Sequence, residues 1–296
     1  MLRGLSSFNL IPRTHYSVPL PGRAPLALGE RTLVMGIINV TPDSFADGGL
    51  RFDPHRAVDD GLRMIEDGAD ILDVGGESTR PGAESLSEDE ELRRVLPVLE
   101  GLTAAAGNVP VSIDTYKARV VLEAVARGAV MVNDVSALQY DPDLAAAVAE
   151  TGAALVVMHN RGRSQEMYRE ATYQDVAGET ATEVRAAMER AVQAGVRRES
   201  IIVDPGLGFA KRAEHSYTVL ADLHRLRALD RPILCGPSRK SFLTLATGTR
   251  APSERDWGTA AAVAISVQLG AHIVRVHAVK ELADVVRVAD KIVASR

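Results

Sequence analysis

The chain has 296 residues, of which 46% are hydrophobic and 25% are charged, so it can bury a large core and is neither a disordered tail nor a linker. The net charge is -5 and no basic run reaches five residues, which argues against nucleic acid or an anionic membrane as the main partner. A single cysteine, Cys235, excludes an internal disulfide and a cysteine-based metal cage. Together with the lack of a long apolar segment, it predicts a cytoplasmic protein that binds a small molecule.

Short apolar segments alternate with longer amphipathic ones along the chain. Residues 1–30 are proline-rich, and we expect an irregular N-terminal extension that ends in a short β segment at 26–28. The strands predicted after it are rich in Val, Ile and Leu and span residues 33–40, 69–74, 110–114, 129–133, 153–158, 201–204, 232–235 and 273–276. The helices predicted between them span residues 54–67, 88–106, 117–127, 142–151, 175–194, 213–229, 238–246 with 256–269, and 279–294.

This alternation indicates a parallel sheet covered by helices. The predicted strands show little alternation of apolar and polar residues, as expected of strands that are buried on both faces. Eight strands, each followed by a helical segment, predict an α/β fold with a single (β/α)8 TIM barrel over residues 31–296, preceded by the extension 1–30. A doubly wound open sheet is the alternative, because a sequence does not show whether a sheet closes.

Polar residues stand at the ends of almost all the predicted strands. The loops that follow the strands form the active face of a (β/α)8 barrel, so we expect these residues to meet at one rim. They are Asn39, Glu77 to Arg80, Asp114, Asn133, His159, Asn160, Asp204, Arg239, Lys240, Arg275 and His277. Any one of them could be a satisfied structural group, but so many at one rim favour a binding site.

The rim residues fall into two sets by their chemistry. Asp114, Asn133 and Asp204 can face the N–H donors and the carbonyl of a flat heterocycle, such as a purine-like or pterin-like ring. A second set, at the first, second and last strands, suits phosphate. Its members are Asn39, Arg80, Arg275 and His277. The oxygen-rich segment 39–47 lies beside it and could hold Mg²⁺ between protein oxygens and a substrate diphosphate.

Motifs for other nucleotide or hydrolase chemistry are incomplete. The glycine pair at Gly206 and Gly208 has Lys211 where a dinucleotide fingerprint has its third glycine, and residues 236–241 lack the spacing of a P-loop. The sequence contains neither G-x-S-x-G nor H-E-x-x-H.

Seven segments of the sequence resemble the motifs of the dihydropteroate synthase family, in the same order, from about Leu26 onward. They are Asn-Val-Thr-Pro-Asp-Ser-Phe at 39–45, Gly-Gly-Glu-Ser-Thr-Arg-Pro-Gly-Ala at 75–83, Ser-Ile-Asp-Thr at 112–115, Asn-Asp-Val-Ser at 133–136, Asp-Pro-Gly-Leu-Gly-Phe at 204–209, Ser-Arg-Lys-Ser-Phe at 238–242 and Arg-Val-His at 275–277. The resemblance implies a transferase of folate biosynthesis that joins 4-aminobenzoate to 6-hydroxymethyl-7,8-dihydropterin diphosphate, releasing diphosphate by an SN1-like reaction. It also implies inhibition by sulfonamides and a homodimer.

The resemblance assigns roles to individual residues. For the pterin ring it implies Asp114, Asn133, Asp204 and Lys240, with Met158 and Phe209 lining the pocket. For Mg²⁺ it implies Asn39 and Asp47, and for the diphosphate Asn39, Arg275 and His277. For 4-aminobenzoate it implies Phe45, Thr79, Arg80, Pro81 and Ser241. The residues expected to be catalytic are Asp114, Asp204, Lys240, Arg275 and His277.

Three positions depart from the family pattern, and two other functions stay open. Ala137 and Ala210 stand where glycine is common, and Ser216 stands where asparagine is common. The first alternative is methyl transfer from methyltetrahydrofolate to a corrinoid, which needs a similar ring pocket and no diphosphate site. The second is a pterin-binding protein without catalytic activity.

Overall fold

The computed structural model describes residues 13–41, 53–78, 82–83, 85–163, 168–169 and 171–295. Within these ranges, an antiparallel hairpin of β1 (Tyr16–Val18) and β2 (Leu26–Leu28) precedes an eight-stranded sheet. The strands of that sheet are β3 (Leu33–Asn39), β4 (Ile71–Gly75), β5 (Val111–Asp114), β6 (Met131–Asp134), β7 (Ala154–Met158), β8 (Ile201–Asp204), β9 (Leu234–Cys235) and β10 (Ile273–Val276). The α-helices are α1 (Pro54–Glu66), α2 (Glu88–Ala105), α3 (Ala118–Ala126), α4 (Leu144–Thr151), α5 (Val176–Gln193), α6 (Ala213–Ala221), α7 (Thr244–Thr247), α8 (Asp256–Gln268) and α9 (Val279–Ala294).

The sheet is parallel and closes into a barrel. Hydrogen-bonded neighbours run in the order β8, β7, β6, β5, β4, β3, β10, β9. The two outer strands then meet, because Val203 forms a parallel bridge with Ile233 and its N–H donates to Pro232 O at 2.9 Å. The predicted (β/α)8 barrel is therefore confirmed, and the open sheet is not the fold.

Local sequence signals set the helix ends. Asp53 caps α1 by accepting the N–H of His55, with Pro54 in the first turn, and Ser87 caps α2 by accepting the N–H of Glu90. Gly152 closes α4 at φ +68°, in the left-handed region that glycine enters without strain.

Two predicted helices differ in their details. The segment predicted as one helix over 213–229 is α6 followed by a 3₁₀ segment at Leu223–Leu229. The segment predicted over 238–246 contains a 3₁₀ turn at Ser241–Leu243 and then the single turn of α7.

The N-terminal segment is more regular than its proline-rich sequence predicted. The β segment expected at 26–28 is β2, and it pairs with β1, which the sequence analysis did not predict. Val18, Leu20 and Leu28 are buried in one cluster with inward-facing barrel residues such as Leu33 and Met35. The hairpin therefore covers the amino-terminal end of the barrel and seals the interior from below.

Alternation along the strands separates two cores. Val34 and Ile38 of β3 belong to the large core between strands and helices, whereas Leu33 and Met35 belong to the barrel interior. Continuing this period of two, the inward positions nearer the carboxyl ends of the strands are polar instead of apolar. They include Asn39, Asp73, Asp114, Asn133, Asp204 and Arg275. The fold thus directs these side chains into the upper mouth of the barrel.

Within the same described ranges, no helix is both long and apolar enough to cross a membrane.

Candidate active site

Strand register places the predicted rim residues side by side. Asn39 at the end of β3 is level with Gly75 of β4, which is level with Asp114 of β5, which is level with Asn133 of β6. Asp204 ends β8, and Met158, level with it, ends β7. The predicted convergence is therefore correct for these residues.

Arg275 joins the acids of the mouth into one network. Its Nε lies 2.6 Å from Asp73 Oδ2, and a terminal nitrogen lies 2.7 Å from Asp114 Oδ2. Asn133 Nδ2 donates to the same Asp73 oxygen at 2.9 Å. The sequence pattern predicts Arg275 in the anion-binding set, apart from the acids, but in the structure the two sets meet at this guanidinium.

Asp73 is the main site residue that the sequence analysis missed. Its side chain is fully buried in the middle of β4, and its second oxygen, Oδ1, has no hydrogen-bond partner in the described part of the chain. A buried carboxylate oxygen without a partner is costly, so it favours a polar ligand or water beside it. The available signal was an aspartate at an inward position of an otherwise apolar strand.

Burial shifts the pKa values of the acid and amine groups of the mouth towards neutral pH. Desolvation raises the pKa of Asp114 to about 7, although Arg275 opposes the shift. Desolvation also raises the pKa of Asp204, against the effect of Lys240, and it lowers the pKa of Lys240 to about 8, against the effect of Asp204. These groups can therefore change protonation when a ligand replaces their surroundings.

The loop after β8 brings an aromatic ring to the mouth. Lys240 Nζ donates to Leu207 O at 2.5 Å and lies 4.5 Å from the centroid of the Phe209 ring, a cation–π distance. Phe209 is half-buried, and Met158 is buried beneath the mouth. Apolar and charged surfaces for a flat ring are thus adjacent.

The opposite side of the mouth is formed by Asn39, Ser238 and His277. His277 Nδ1 lies 2.9 Å from Ser238 Oγ, and its Nε2 lies 3.4 Å from Asn39 Nδ2. Ser238 Oγ also accepts the N–H of His277 at 3.1 Å. These contacts fix the imidazole at the end of β10, next to the end of β3.

Arg239 has a structural role instead of a place in the mouth. Its guanidinium makes two hydrogen bonds of 2.8 Å to the carboxylate of Asp256 at the start of α8. Its backbone has a φ of +57° and its N–H donates to Thr259, so the loop before Lys240 is fixed from the helix side.

Five predicted site residues lie outside the described residues: Phe45, Asp47, Thr79, Arg80 and Pro81. The base of the loop that contains the last three is described. Glu77 accepts hydrogen bonds from Lys117 Nζ at 2.6 Å, Tyr116 OH at 2.8 Å and the N–H of Leu86 at 3.1 Å. Lys117 also pairs with the buried Glu91, so this loop is anchored to the barrel at both of its ends.

Two of the three departures from the family pattern occur at loop positions with unusual backbone geometry. Ala137 has a φ of +56° and Ala210 a φ of +47°, in the left-handed region where glycine would be unstrained. The third, Ser216, lies in α6, and its Oγ accepts the N–H of Gly208 at 3.1 Å. The buried Asp134 holds the strained loop by accepting the N–H groups of Ser136 and Leu138.

A closed (β/α)8 barrel with buried acids, amides, a lysine and an arginine around its mouth defines an enzyme class that binds a polar, flat small molecule. The sequence profile of the pterin binding enzyme family matches residues 35–277. A dihydropteroate synthase of Synechocystis is 43% identical over 277 residues, covering 93% of this chain and 96% of that protein. The chain therefore belongs to the dihydropteroate synthase family of pterin-binding enzymes.

Two solved structures show the same likeness in three dimensions. The dihydropteroate synthase of Xanthomonas albilineans with 4-aminobenzoic acid has a TM-score of 0.86 and 41% identity, covering 94% of this chain and 98% of that one. The Yersinia pestis dihydropteroate synthase in a sulfonamide drug complex has a TM-score of 0.87 and 38% identity, covering 95% of this chain and 100% of that one.

Proposed function

We propose that this chain is a dihydropteroate synthase, which condenses 6-hydroxymethyl-7,8-dihydropterin diphosphate with 4-aminobenzoate to give 7,8-dihydropteroate and diphosphate. The observation that carries the proposal is the network of Asp73, Asp114, Asn133 and Arg275 at the inward ends of the strands. We assign the pterin-binding unit to residues 31–296 and regard residues 1–30 as an N-terminal extension, of which the hairpin of β1 and β2 covers the barrel from below.

The pterin ring would lie on the acid side of the mouth. Asp114, Asn133 and Asp204 offer oxygens to the N–H groups of the ring, and Asn133 and Lys240 offer donors to its carbonyl and ring nitrogens. Phe209 and Met158 would contact its faces and edges. These roles are supported by the burial of Asp204 and by the low exposure of the Asp114 side chain, 11%, since hydrogen bonds to such groups are stronger when water is excluded.

The diphosphate would lie against Asn39, Arg275 and His277. Asn39 provides a hard oxygen ligand at the end of β3, which suits Mg²⁺, and we propose Asp47 as its partner ligand. In the described part of the chain no three His, Cys, Asp or Glu side chains could hold a metal together. This fits an ion held by few protein oxygens and by substrate phosphate, as is usual for Mg²⁺. When bound, Mg²⁺ would neutralise part of the leaving-group charge.

The reaction follows from how the mouth separates charge. As the bond from the methylene carbon to the diphosphate oxygen breaks, positive charge spreads from that carbon into the electron-rich dihydropterin ring. The carboxylates of Asp114 and Asp204 stabilise this cation, while Arg275 and His277 stabilise the departing diphosphate. The aromatic amine of 4-aminobenzoate then adds to the carbon and loses a proton, so the protein needs no covalent nucleophile.

We assign the 4-aminobenzoate site to Phe45, Thr79, Arg80, Pro81 and Ser241. The Xanthomonas and Yersinia relatives were solved with 4-aminobenzoic acid and with a sulfonamide drug complex, and this supports the same substrate and the same inhibitor class here. The anchored ends of the loop at Glu77 and Leu86 would keep that site near the ring pocket.

We also propose that the protein is a cytoplasmic homodimer. An apolar groove between α8 and α9 is lined by residues that include Ala264, Val285, Val288 and Ile292. Val288 is 61% exposed and Trp257, at the start of α8, is 89% exposed. A second copy of the chain would cover this surface, as exposed apolar patches of this kind commonly mark interfaces.

The test is an assay with purified protein, Mg²⁺, the pterin diphosphate and 4-aminobenzoate. We expect diphosphate release together with 7,8-dihydropteroate, identified by mass, and loss of both when either substrate is omitted. A corrinoid methyltransferase or a binding protein without activity would give neither product. Asp204→Asn is the matched variant, since it keeps the size of the side chain and removes its charge.

A further inference from the structure

Lys211 is buried under the loop that joins β8 to α6. The residue is 1% exposed. Its Nζ lies 2.6 Å from His159 Nδ1, 3.1 Å from Gly206 O and 3.2 Å from Phe209 O. Three possible acceptors therefore surround this nitrogen, and burial lowers the pKa of Lys211 well below its usual value, against the charge of Asp204. Two of the three bonds go to the loop that carries Phe209.

His159 continues the network towards α5. Because its Nδ1 accepts from Lys211, its proton lies on Nε2, and Glu183 Oε2 is 3.0 Å from that nitrogen. Burial and the charge of Lys211 lower the pKa of His159 to about 4, so the ring stays neutral and able to accept. Glu183 also accepts from Arg161 Nε at 3.0 Å. The loop is thereby connected to α5 through Lys211 and His159.

Two further side chains donate hydrogen bonds to carbonyl groups of the same loop. Tyr173 OH donates to Ala210 O at 2.8 Å, and Lys240 donates to Leu207 O from the opposite side. Gly206 has a φ of +65°, and a Cβ there would lie 2.0 Å from His159 O, so the backbone fits closely against the end of β7. Lys211 contacts two carbonyls of the loop, those of Gly206 and Phe209, which lie in the sequence on either side of the Leu207 carbonyl bound by Lys240.

Packing does not explain a lysine at this position. A buried ammonium pays a large desolvation cost, and a methionine would fill a similar volume without it. The ammonium differs from methionine in fixing the direction of the carbonyls of Gly206 and Phe209. Asp204 is part of the same arrangement, because its Oδ1 accepts the N–H of Gly206 at 2.6 Å.

We propose that Lys211 is a positioning residue for the pterin ring. It holds the 205–210 loop so that the ring of Phe209 and the carboxylate of Asp204 face the pocket. It does not touch the substrate itself, because it is 1% exposed and its Nζ contacts protein atoms of His159, Gly206 and Phe209. This inference rests on the proposed function, since the ring in question is the pterin of that reaction.

The test compares the two sides of the site in Lys211→Met. Calorimetry with 6-hydroxymethyl-7,8-dihydropterin, which lacks the diphosphate, reports the ring side, and inorganic diphosphate with Mg²⁺ reports the anion side. We expect the affinity for the ring to fall about 10-fold or more, the usual effect of losing hydrogen bonds to a charged group. The affinity for diphosphate should stay within about twofold, because Lys211 makes no contact on that side.

Arg13→Met is the matched control, because it removes another buried cation, whose partner Asp290 also accepts the N–H of Thr32 at the amino-terminal end of the barrel, away from the mouth. We expect its affinity for the ring to stay within about twofold of the wild type. An equal loss in both variants, or an unchanged ring affinity in Lys211→Met, would overturn the positioning role. If Lys211→Met does not fold, Lys211→Gln decides the question: its uncharged amide nitrogen ends one bond short of the lysine Nζ, so we expect it to lose the bonds to Gly206 O and Phe209 O. Wild-type ring affinity in this variant would equally overturn the role.

Steady-state kinetics separate this inference from the proposed function. In Lys211→Met we expect the KM for the pterin diphosphate to rise and the KM for 4-aminobenzoate to stay unchanged. Absence of diphosphate release by the wild-type protein would refute the proposed function. Wild-type turnover combined with unchanged ring affinity in Lys211→Met would refute only the role of Lys211.

Discussion

Replacing Asp73 by asparagine tests whether the network in the barrel mouth orients Arg275. The carboxylate of Asp73 is fully buried and accepts from Arg275 Nε at 2.6 Å and from Asn133 Nδ2 at 2.9 Å. An asparagine has one acceptor oxygen and no charge, so Arg275 keeps only Asp114 as an anionic partner. Loss of a hydrogen bond to a charged group costs about 1.5–3 kcal/mol, which corresponds to a roughly 10- to 100-fold lower kcat/KM if Arg275 acts in the transition state.

The same substitution should change the protonation of Asp114. The charge of Asp73 is one of the causes that raise the pKa of Asp114 to about 7, after burial. Without that charge, the pKa of Asp114 falls, and the ionised form persists at lower pH. If ionised Asp114 binds the ring, the acidic limb of the kcat/KM profile should move to lower pH in Asp73→Asn.

The measurement is diphosphate release at saturating 4-aminobenzoate over a range of pH, with thermal unfolding as a check on folding. Asp290→Asn is the control, since it breaks the pair with Arg13 at the amino-terminal end of the barrel and should leave kcat/KM within about twofold. An unchanged kcat/KM in Asp73→Asn, or an acidic limb that moves to higher pH, would show that Asp73 does not act through Arg275 and Asp114.

Four further changes give distinct outcomes. Asp204→Asn should lower kcat/KM by about 100-fold or more, because it removes a charge that stabilises the cation; single-turnover kinetics measure this, and near-wild-type chemistry would exclude the role. Ala137→Gly should raise the free energy of unfolding by roughly 0.5–1 kcal/mol in urea titrations, because glycine adopts the positive φ of this position without strain, at some cost in chain entropy. A lower free energy of unfolding would show that Ala137 is not strained. Burial lowers the pKa of His272 to about 4, below its value in the unfolded chain, so the stability that the neutral ring contributes is complete above about pH 6.5 and is lost as the pH falls towards 4. In His272→Gln the free energy of unfolding should therefore fall less steeply with acid, by about 1.4 kcal/mol per pH unit between these limits. An unchanged slope of the free energy of unfolding against pH would exclude His272 as a cause. Val288→Glu should shift sedimentation from dimer to monomer, whereas a monomeric wild type would refute the assigned interface.

The alternation of strands and helices made most of the fold predictable. Once eight buried strands are each followed by a helix, the carboxyl ends must share one rim, so Asn39, Asp114 and Asp204 could be placed together from their positions alone. Closure was not predictable, because it depends on the bridge between Val203 and Ile233. The strand β1 and its pairing with β2 were not predictable either, since the two strands are three residues long and are stabilised by packing against the barrel.

Site residues were missed where their partners are distant in sequence. Asp73 lies inside a strand whose neighbours are apolar, and only the barrel brings it to Arg275, 202 residues away. The contact between His159 and Lys211 spans 52 residues, and neither residue stands in a motif that requires the other. Local patterns predict which face a residue takes, whereas such pairings follow from closure of the barrel and the course of its loops.

Along the strands, the inward-facing side chains change from apolar near the amino-terminal end of the barrel to polar at its mouth. This change places the charged side chains of the mouth on top of a packed apolar core. Low in the barrel, Met35 and its neighbours form an apolar interior that the hairpin covers, and the acids lie above it at the mouth. Burial raises the pKa of Asp114 and lowers that of Lys240, and the charges of Arg275 and Asp204 oppose these two shifts. A bound ring that carries positive charge would compensate the negative charges of both Asp114 and Asp204. Under the proposed mechanism, this mouth would therefore bind a substrate that develops positive charge more tightly in the transition state than in the ground state.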